Sequence, residues 1–490
     1  METNQSELSQ SQEPTLKEKT AKGLFWGGIS TFVQQLIGMI FGIVIARILS
    51  PDDYGLVAML AIFTAIANMI MDSGFSIALI NREKIEHKDY NAVFWFNVFM
   101  GTGMYIILYF AAPFIAQFYN QPVLTNLSRI VFLSFVIAGS GIAHNAILLK
   151  KLMVKQRGIT DMISVFFSGV VGLILALNGL AFWGLAIQQV SQTLMAVMLR
   201  WYFSQWKPAF KFDFSPLKEM FGFSIKLFIT SFLSQITSNL FSTVIGKLYG
   251  ATETGYYGQG FKWGGLGSYV IAGTINGIAQ PVLVEAKKDI PRQLKIFRKM
   301  LRFGAFISFP ALLGFAFVGR EFILITVGEK WINSLIYMQL FCVWGICSSF
   351  LTLYSTLLFS HEKSTTYMII MFVLLLTQLI SLFICSSFGI LVMVCVYVGL
   401  YLLSLLWWQY IANQLIGLTL KNVIKDIMPY IMTTIFSIGL TWLLSSRISN
   451  IYLKCTVKGL SMISIYCAVL WGFNSIIFKE SLNYLKGRKI

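Results

Sequence analysis

Residues 46–55 read Ala-Arg-Ile-Leu-Ser-Pro-Asp-Asp-Tyr-Gly, and residues 246–255 read Gly-Lys-Leu-Tyr-Gly-Ala-Thr-Glu-Thr-Gly. At a constant offset of 200, Arg47 is answered by Lys247, Ile48 by Leu248, Asp53 by Glu253 and Gly55 by Gly255. Upstream, Phe32 and Phe232, Gln35 and Gln235, and Ile45 and Ile245 keep the same offset. A long apolar run precedes each copy. A motif repeated at the outer end of an apolar helix is the mark of a transporter built from two similar halves.

Composition places the chain in a bilayer. Of 490 residues 56% are hydrophobic and only 12% charged, against about 25% charged in an ordinary soluble domain. The mean hydropathy is +0.71. Five of the six cysteines lie in apolar runs and Cys455 lies near a loop; no spacing gives a disulfide framework or a metal site. No Gly-rich phosphate-binding signature of the GxxxxGK[ST] type is present, so no cofactor is expected.

A span needs roughly 20 apolar residues, and the chain divides into fourteen: 23–49, 55–80, 91–116, 127–149, 161–179, 181–203, 221–245, 256–285, 300–319, 335–358, 366–386, 390–412, 428–446 and 457–478. The thinnest divisions are Asn178-Gly179 and residues 386–390. With an internal N-terminus, 28 of the 38 Lys and Arg fall on the cytoplasmic side, seven on the outer side, and Lys226, Lys262 and Lys458 inside spans. That asymmetry predicts both termini in the cytoplasm. It also accounts for the net charge of +17 without nucleic acid, through helix orientation and anionic lipid. The expected organisation is an all-α membrane protein. A cytoplasmic tail (1–22) precedes an N-terminal lobe of six helices (23–203). A cytoplasmic linker (204–220) leads to a second six-helix lobe (221–412). An interfacial linker (413–427) precedes two further helices with a basic tail (428–490).

Charge inside hydrocarbon is costly, about 2.5–3.5 kcal/mol at a helix centre, and so marks candidate function. Lys226 lies near the start of the seventh span. Lys262 lies six residues past Tyr256, among Gly260, Gly264, Gly265 and Gly267, which leave room around it. Arg47 closes the first span, and Asp72 lies in the second as the candidate coupling residue. Snorkelling along the side chain's own stem is the structural alternative for each cation. The cationic excess suits a phosphate or pyrophosphate ligand. Amides form a second candidate set: Gln34 and Gln35, Gln235 and Asn239, Asn276 and Gln280. They suit sugar hydroxyls, and equally helix–helix glue. His144 reads as a packed neutral residue before a proton relay. Asp53 and Glu253 read as helix caps, with Gly55 and Gly255 easing the turn.

Lys-Gly-Leu-Phe-Trp-Gly (22–27), the 46–55 motif, Asp-Ser-Gly-Phe-Ser-x-Ala-Leu (72–79) and Gly-x-x-x-x-Gly-Tyr-Tyr (250–257) together resemble bacterial polysaccharide flippases. These belong to the multidrug/oligosaccharidyl-lipid/polysaccharide exporter superfamily, in its lipopolysaccharide and colanic-acid branch. The resemblance implies two six-helix lobes in pseudo-twofold arrangement plus two C-terminal helices, and a central cavity. It implies a polyprenyl-pyrophosphate-linked oligosaccharide flipped from inner to outer leaflet by alternating access, with H⁺, Na⁺ or membrane potential as the driver. By position it carries over Arg47 and Lys262 as cavity cations. It further implies a monomer in the bacterial inner membrane, among membrane lipid, and not an enzyme. Two rival functions are a drug/cation antiporter of the same superfamily, which would rely on Asp72, and a membrane glycosyltransferase or polymerase using Asp52-Asp53 for a divalent cation.

Overall fold

The computed structural model describes residues 16–72, 79, 85–211, 213 and 215–485; the side chains of Asp72, Lys226 and Asn276 and the terminal tail 1–15 lie outside the description. Among the described residues every regular element is a helix. Ten helices among the described residues are long and apolar enough to cross a bilayer, or eleven if Leu124–Gly139 and Ile142–Lys150, which meet at 46°, form one broken span. Helices also cover the expected spans 181–203, 221–245 and 256–285, as Ala181–Ser204 and Ser215–Glu285, though none is among those ten. Gln188, Gln189 and Gln192 dilute the first of them, and the long helix is described only in part.

Helix breaks fall where backbone chemistry demands. Gly179 (φ +77°) separates Val154–Leu177 from Ala181–Ser204, and Gly389 (φ +93°) separates Ser364–Cys385 from Ile390–Ile416. Only glycine takes such angles without steric cost. The segment 413–427 is no separate surface helix. Gly417 ends Ile390–Ile416, the Thr419 hydroxyl accepts from Asn422 N, and Leu420–Ser445 starts at once.

Contacts divide the chain into two compact units. The first comprises Met1–Leu49 and Phe63–Phe232, the second Ser50–Ile62 and Leu233–Ile490. In the first unit, helix Leu16–Ile48 lies on Val154–Leu177, which lies on Ala181–Ser204; His87–Tyr119 pairs with Leu124–Gly139. The segment after Ser204 is strapped back: Asn91 Nδ2 donates to Lys211 O (2.6 Å) and Trp95 Nε1 to Ala209 O (2.8 Å). His144 is fully buried against Trp201 (ring centroids 4.3 Å apart), Trp206 and Phe94, with Nδ1 2.7 Å from Ser204 Oγ. It is a core residue.

The second unit is built around Ile290–Thr326, Ser334–Ser360, Ile390–Ile416, Leu420–Ser445 and Ile451–Gly472, whose inner faces share one apolar core. Helix Pro51–Met59 packs with this unit although it lies far upstream. Its start is a capping box: Asp53 N donates to Ser50 Oγ (3.3 Å) and Ser50 N to Asp53 Oδ2 (2.8 Å). Gly250 (φ +86°, ψ −175°) interrupts Ser215–Glu285, so a second helical run starts at Ala251.

These two helix starts press together backbone to backbone. A Cβ on Gly55 would lie 1.7 Å from Ala251 O, and one on Gly255 would lie 1.9 Å from Pro51 O. Residue 55 thus faces 251 while 255 faces 51, the exchange a local twofold produces. On the axis, Thr252 Oγ1 donates to Asp52 Oδ1 (3.2 Å), and Ala58 faces Gly258. Pro51 and Gly55, like Ala251 and Gly255, are small residues four apart, the spacing that brings membrane helices close. Both glycines, expected at turns, sit inside helices and serve this contact. Trp331, fully buried, closes one end by touching Tyr54 (5.3 Å between centroids) and Tyr256 (6.2 Å).

Gly55→Ala or Gly255→Ala drives a methyl into a carbonyl, and each is expected to cost roughly 3 kcal/mol. Thermal unfolding of purified protein in detergent reads the loss as a lowered Tm. Gly258→Ala, whose Cβ would stand 3.9 Å from that of Ala58, should leave Tm unchanged. Equal Tm for all three variants would refute the contact.

Candidate functional site

The run from Ala251 to Glu285 carries three faces. Ala251 and Gly255 meet Pro51–Met59. Gly260 and Gly264 meet Ser334–Ser360, where an added Cβ would lie 2.5 Å from Tyr337 Cβ and 2.6 Å from Phe341 Cβ respectively. These glycines therefore serve helix packing and do not open space around Lys262. The third face, Lys262, Tyr269 and Gly273, recurs at i, i+7 and i+11 and is exposed within the unit. Lys262 Nζ stands 5.1 Å from the centroid of the Trp263 ring, while Trp263 itself is buried against Phe322. The helix thus spends its small residues on packing and leaves one cation and one phenol exposed on its remaining face.

The amide candidates behave differently from one another. Asn239 Nδ2 donates to Gln235 O (3.0 Å) and approaches Gln235 Oε1 (3.5 Å), so this pair partly satisfies itself along one helix turn. Gln280 and Gln35 are exposed and Gln34 half-buried. Arg47 is exposed in the last turn of Leu16–Ile48. Asp72, Lys226 and Asn276 lie outside the described side chains.

A charged pair emerges that sequence spacing did not reveal. Helix Ile290–Thr326 continues beyond Arg320, where a loop was expected, and carries Glu321 inward. Lys458 Nζ donates to Glu321 Oε1 at 2.8 Å and stands 4.4 Å from the Phe317 ring centroid. Both side chains are buried, Lys458 at 8% and Glu321 at 4% exposure. Lys458 thus has a partner and leaves the set of unexplained intramembrane cations. The two residues are 137 apart, and only the isolated Lys458 in an apolar run signalled that some acid must answer it.

With this geometry in view, similarity to known proteins decides the family. A model described as polysaccharide biosynthesis protein matches residues 44–336, a stretch holding both motif copies. The chain belongs to this family. Lipopolysaccharide biosynthesis protein WzxC of Escherichia coli (strain K12) is 26% identical over 341 residues, 68% of this chain and 68% of that protein. Teichuronic acid biosynthesis protein TuaB of Bacillus subtilis (strain 168) is 25% identical over 430 residues, 87% of this chain and 89% of its own. Among solved structures, the lipid II flippase MurJ in an inward closed conformation shares the fold with a TM-score of 0.75, at 13% identity, over 91% of this chain and 99% of that one. An inward-facing multidrug resistance MATE family transporter matches with a TM-score of 0.59 over 78% of this chain and 95% of its own, at 14% identity.

Removing one member of the Glu321–Lys458 pair leaves a buried charge alone. Glu321→Gln or Lys458→Met is expected to cost about 3 kcal/mol, while the double variant recovers most of it. The check is a double-mutant cycle on Tm in detergent; additive losses would mean the pair is not coupled.

Proposed function

We propose that this chain is a transporter that flips a polyprenyl-pyrophosphate-linked oligosaccharide from the inner to the outer leaflet by alternating access, for assembly of a surface polysaccharide. The observation that carries this reading is the family match over 44–336, which takes in both copies of the motif. It is supported by relatives named for lipopolysaccharide and teichuronic acid biosynthesis, and by a fold shared with a lipid II flippase. No described feature favours the antiporter or the glycosyltransferase over it.

In this reading fourteen helices cross the bacterial cytoplasmic membrane. Residues 23–203 and 221–412 form the two lobes, and 428–490 adds two helices and a basic cytoplasmic tail. Both termini face the cytoplasm, and the protein acts as a monomer without an enzymatic step. Arg47 and Lys262 attract the pyrophosphate. Exposed amides, among them Gln35 and Gln280, meet sugar hydroxyls. Asp72 is the candidate for coupling to H⁺ or Na⁺, and Lys226 a further cavity cation.

Two measurements test the reading. A reporter active only in the cytoplasm should work when fused after Ile490 or Lys218 and fail after Tyr249; activity at Tyr249 breaks the topology. Lys262→Ala should lower surface glycan by roughly tenfold, about what one lost charge-assisted phosphate contact is worth, at unchanged protein level. Lys262→Arg should retain more export than Lys262→Gln. Full export by Lys262→Gln would take Lys262 out of the site and leave Arg47 as its cation.

A further inference from the structure

Away from the Lys262 face, the second unit holds a cationic basin that the transport reading does not use. Helix Ile290–Thr326 presents Arg298 and Arg302 one turn apart, and the first turns of Leu420–Ser445 bring Lys425 and Asp426 beside them. Arg298 grips Asp426 with two bonds, Nε to Oδ2 at 2.7 Å and Nη2 to Oδ1 at 3.0 Å. Arg302 Nε stands farther off, 3.8 Å from Asp426 Oδ1. Asp426 is 5% exposed, so its single negative charge is spent on Arg298. Arg302 and Lys425 leave the basin with two surplus positive charges. They line a cavity of about 630 Å³ that also holds apolar Met432, Leu470, Phe473 and Ile476 beside polar Thr433, Asn474 and Ser475. Helix Ile476–Leu485 lines part of this cavity and is held by Lys299 Nζ, 2.7 Å from Glu480 Oε2.

The next turns of the same helices continue as hydrocarbon. Residues from Phe306 to Val318 and from Gly459 to Cys467 line a second cavity of about 490 Å³. Arg298 and Arg302 line the first cavity and Phe306, Pro310, Gly314 and Val318 the second; at their junction the Phe306 ring packs on Tyr430, Tyr466 and Phe478, with centroids 6.1, 6.1 and 6.3 Å away. The two cavities are therefore distinct, and the cations belong to the first.

We propose that this basin binds an anionic glycerophospholipid, with its phosphodiester on Arg302 and Lys425 and its acyl chains against Met432, Leu470, Phe473 and Ile476. Two surplus cations beside apolar side chains match a lipid whose headgroup carries net negative charge. A zwitterionic lipid brings an ammonium group that these cations repel. Bound there, the lipid bridges Ile290–Thr326, Leu420–Ser445 and Ile476–Leu485, which already meet through Asp426, Glu480 and the rings of Phe306, Tyr430 and Phe478.

The test uses purified full-length protein in detergent, titrated separately with phosphatidylglycerol, phosphatidylcholine and undecaprenyl phosphate. Phosphatidylglycerol should raise Tm by roughly 3 °C at saturation, and phosphatidylcholine should not. Arg302→Gln with Lys425→Gln should abolish the shift. Lys207→Gln with Lys211→Gln, exposed cations elsewhere, should keep it. An equal shift with phosphatidylcholine, or a shift that survives in the Arg302/Lys425 variant, overturns the proposal. A larger shift with undecaprenyl phosphate also overturns it and gives the basin to the carrier. Should the double variant fail to fold, Lys425→Gln alone, at an exposed position, must weaken half-saturation by phosphatidylglycerol severalfold; an unchanged value overturns the site. Binding is read without transport, so its failure leaves the flippase reading standing, and the reverse holds.

Discussion

The second unit depends on two carbonyl groups having nothing but glycine in front of them. Ala251 O fills the place a side chain would take at residue 55, and Pro51 O does the same at residue 255. Everything near this crossing follows from that approach. Gly250 must break the preceding helix for Ala251 to arrive there. Once the direction of the Ala251–Glu285 run is set, Gly260 and Gly264 fall on Ser334–Ser360 and Lys262 falls on the opposite face. Without hydrophobic drive between helices in lipid, such fit is what holds them.

Charge within the apolar helices follows a similar economy. Glu321 and Lys458 neutralise each other near the Thr326 end of Ile290–Thr326, and Arg298 and Asp426 do so near its opposite end. Both pairs join this helix to a member of the last two long helices, Leu420–Ser445 and Ile451–Gly472. The C-terminal pair is thereby held to the unit at both ends by charge, with the aromatic contact of Phe306 and Tyr466 between, where Tyr466 also donates to Phe306 O. Lys262 is different: it is exposed, and its neighbours on the helix are committed to packing.

Much of this was legible in the chain because it is local or periodic. The apolar runs mark the helices, Gly179 and Gly389 mark the thin breaks, and Asp53 marks a helix start, where it completes a capping box begun by Ser50. The repeat of 46–55 at 246–255 was legible as a repeat. What it is for was not, since nothing in the spacing says that residue 55 touches residue 251. The same limit hid Glu321 from Lys458 and Arg298 from Asp426, partners separated by more than a hundred residues. It also misassigned the glycines near Lys262, because a small residue beside a cation reads as room until the neighbouring helix is seen to occupy it. That Ser50–Ile62 packs with residues from 233 onward is a further fact of tertiary contact, carried by no local pattern.

Position 52 sits on the local axis, opposite its own counterpart at 252. In an assembly of two identical chains, such a position can only face itself: aspartate would confront aspartate, or threonine threonine. Joining both copies in one polypeptide releases that restriction. Asp52 keeps its carboxylate, position 252 supplies a hydroxyl donor, and the result is a hydrogen bond of 3.2 Å where symmetry would have placed two like charges. Carrying both copies in a single chain thus gives the crossing an asymmetry at the one place where a symmetric dimer has none to offer.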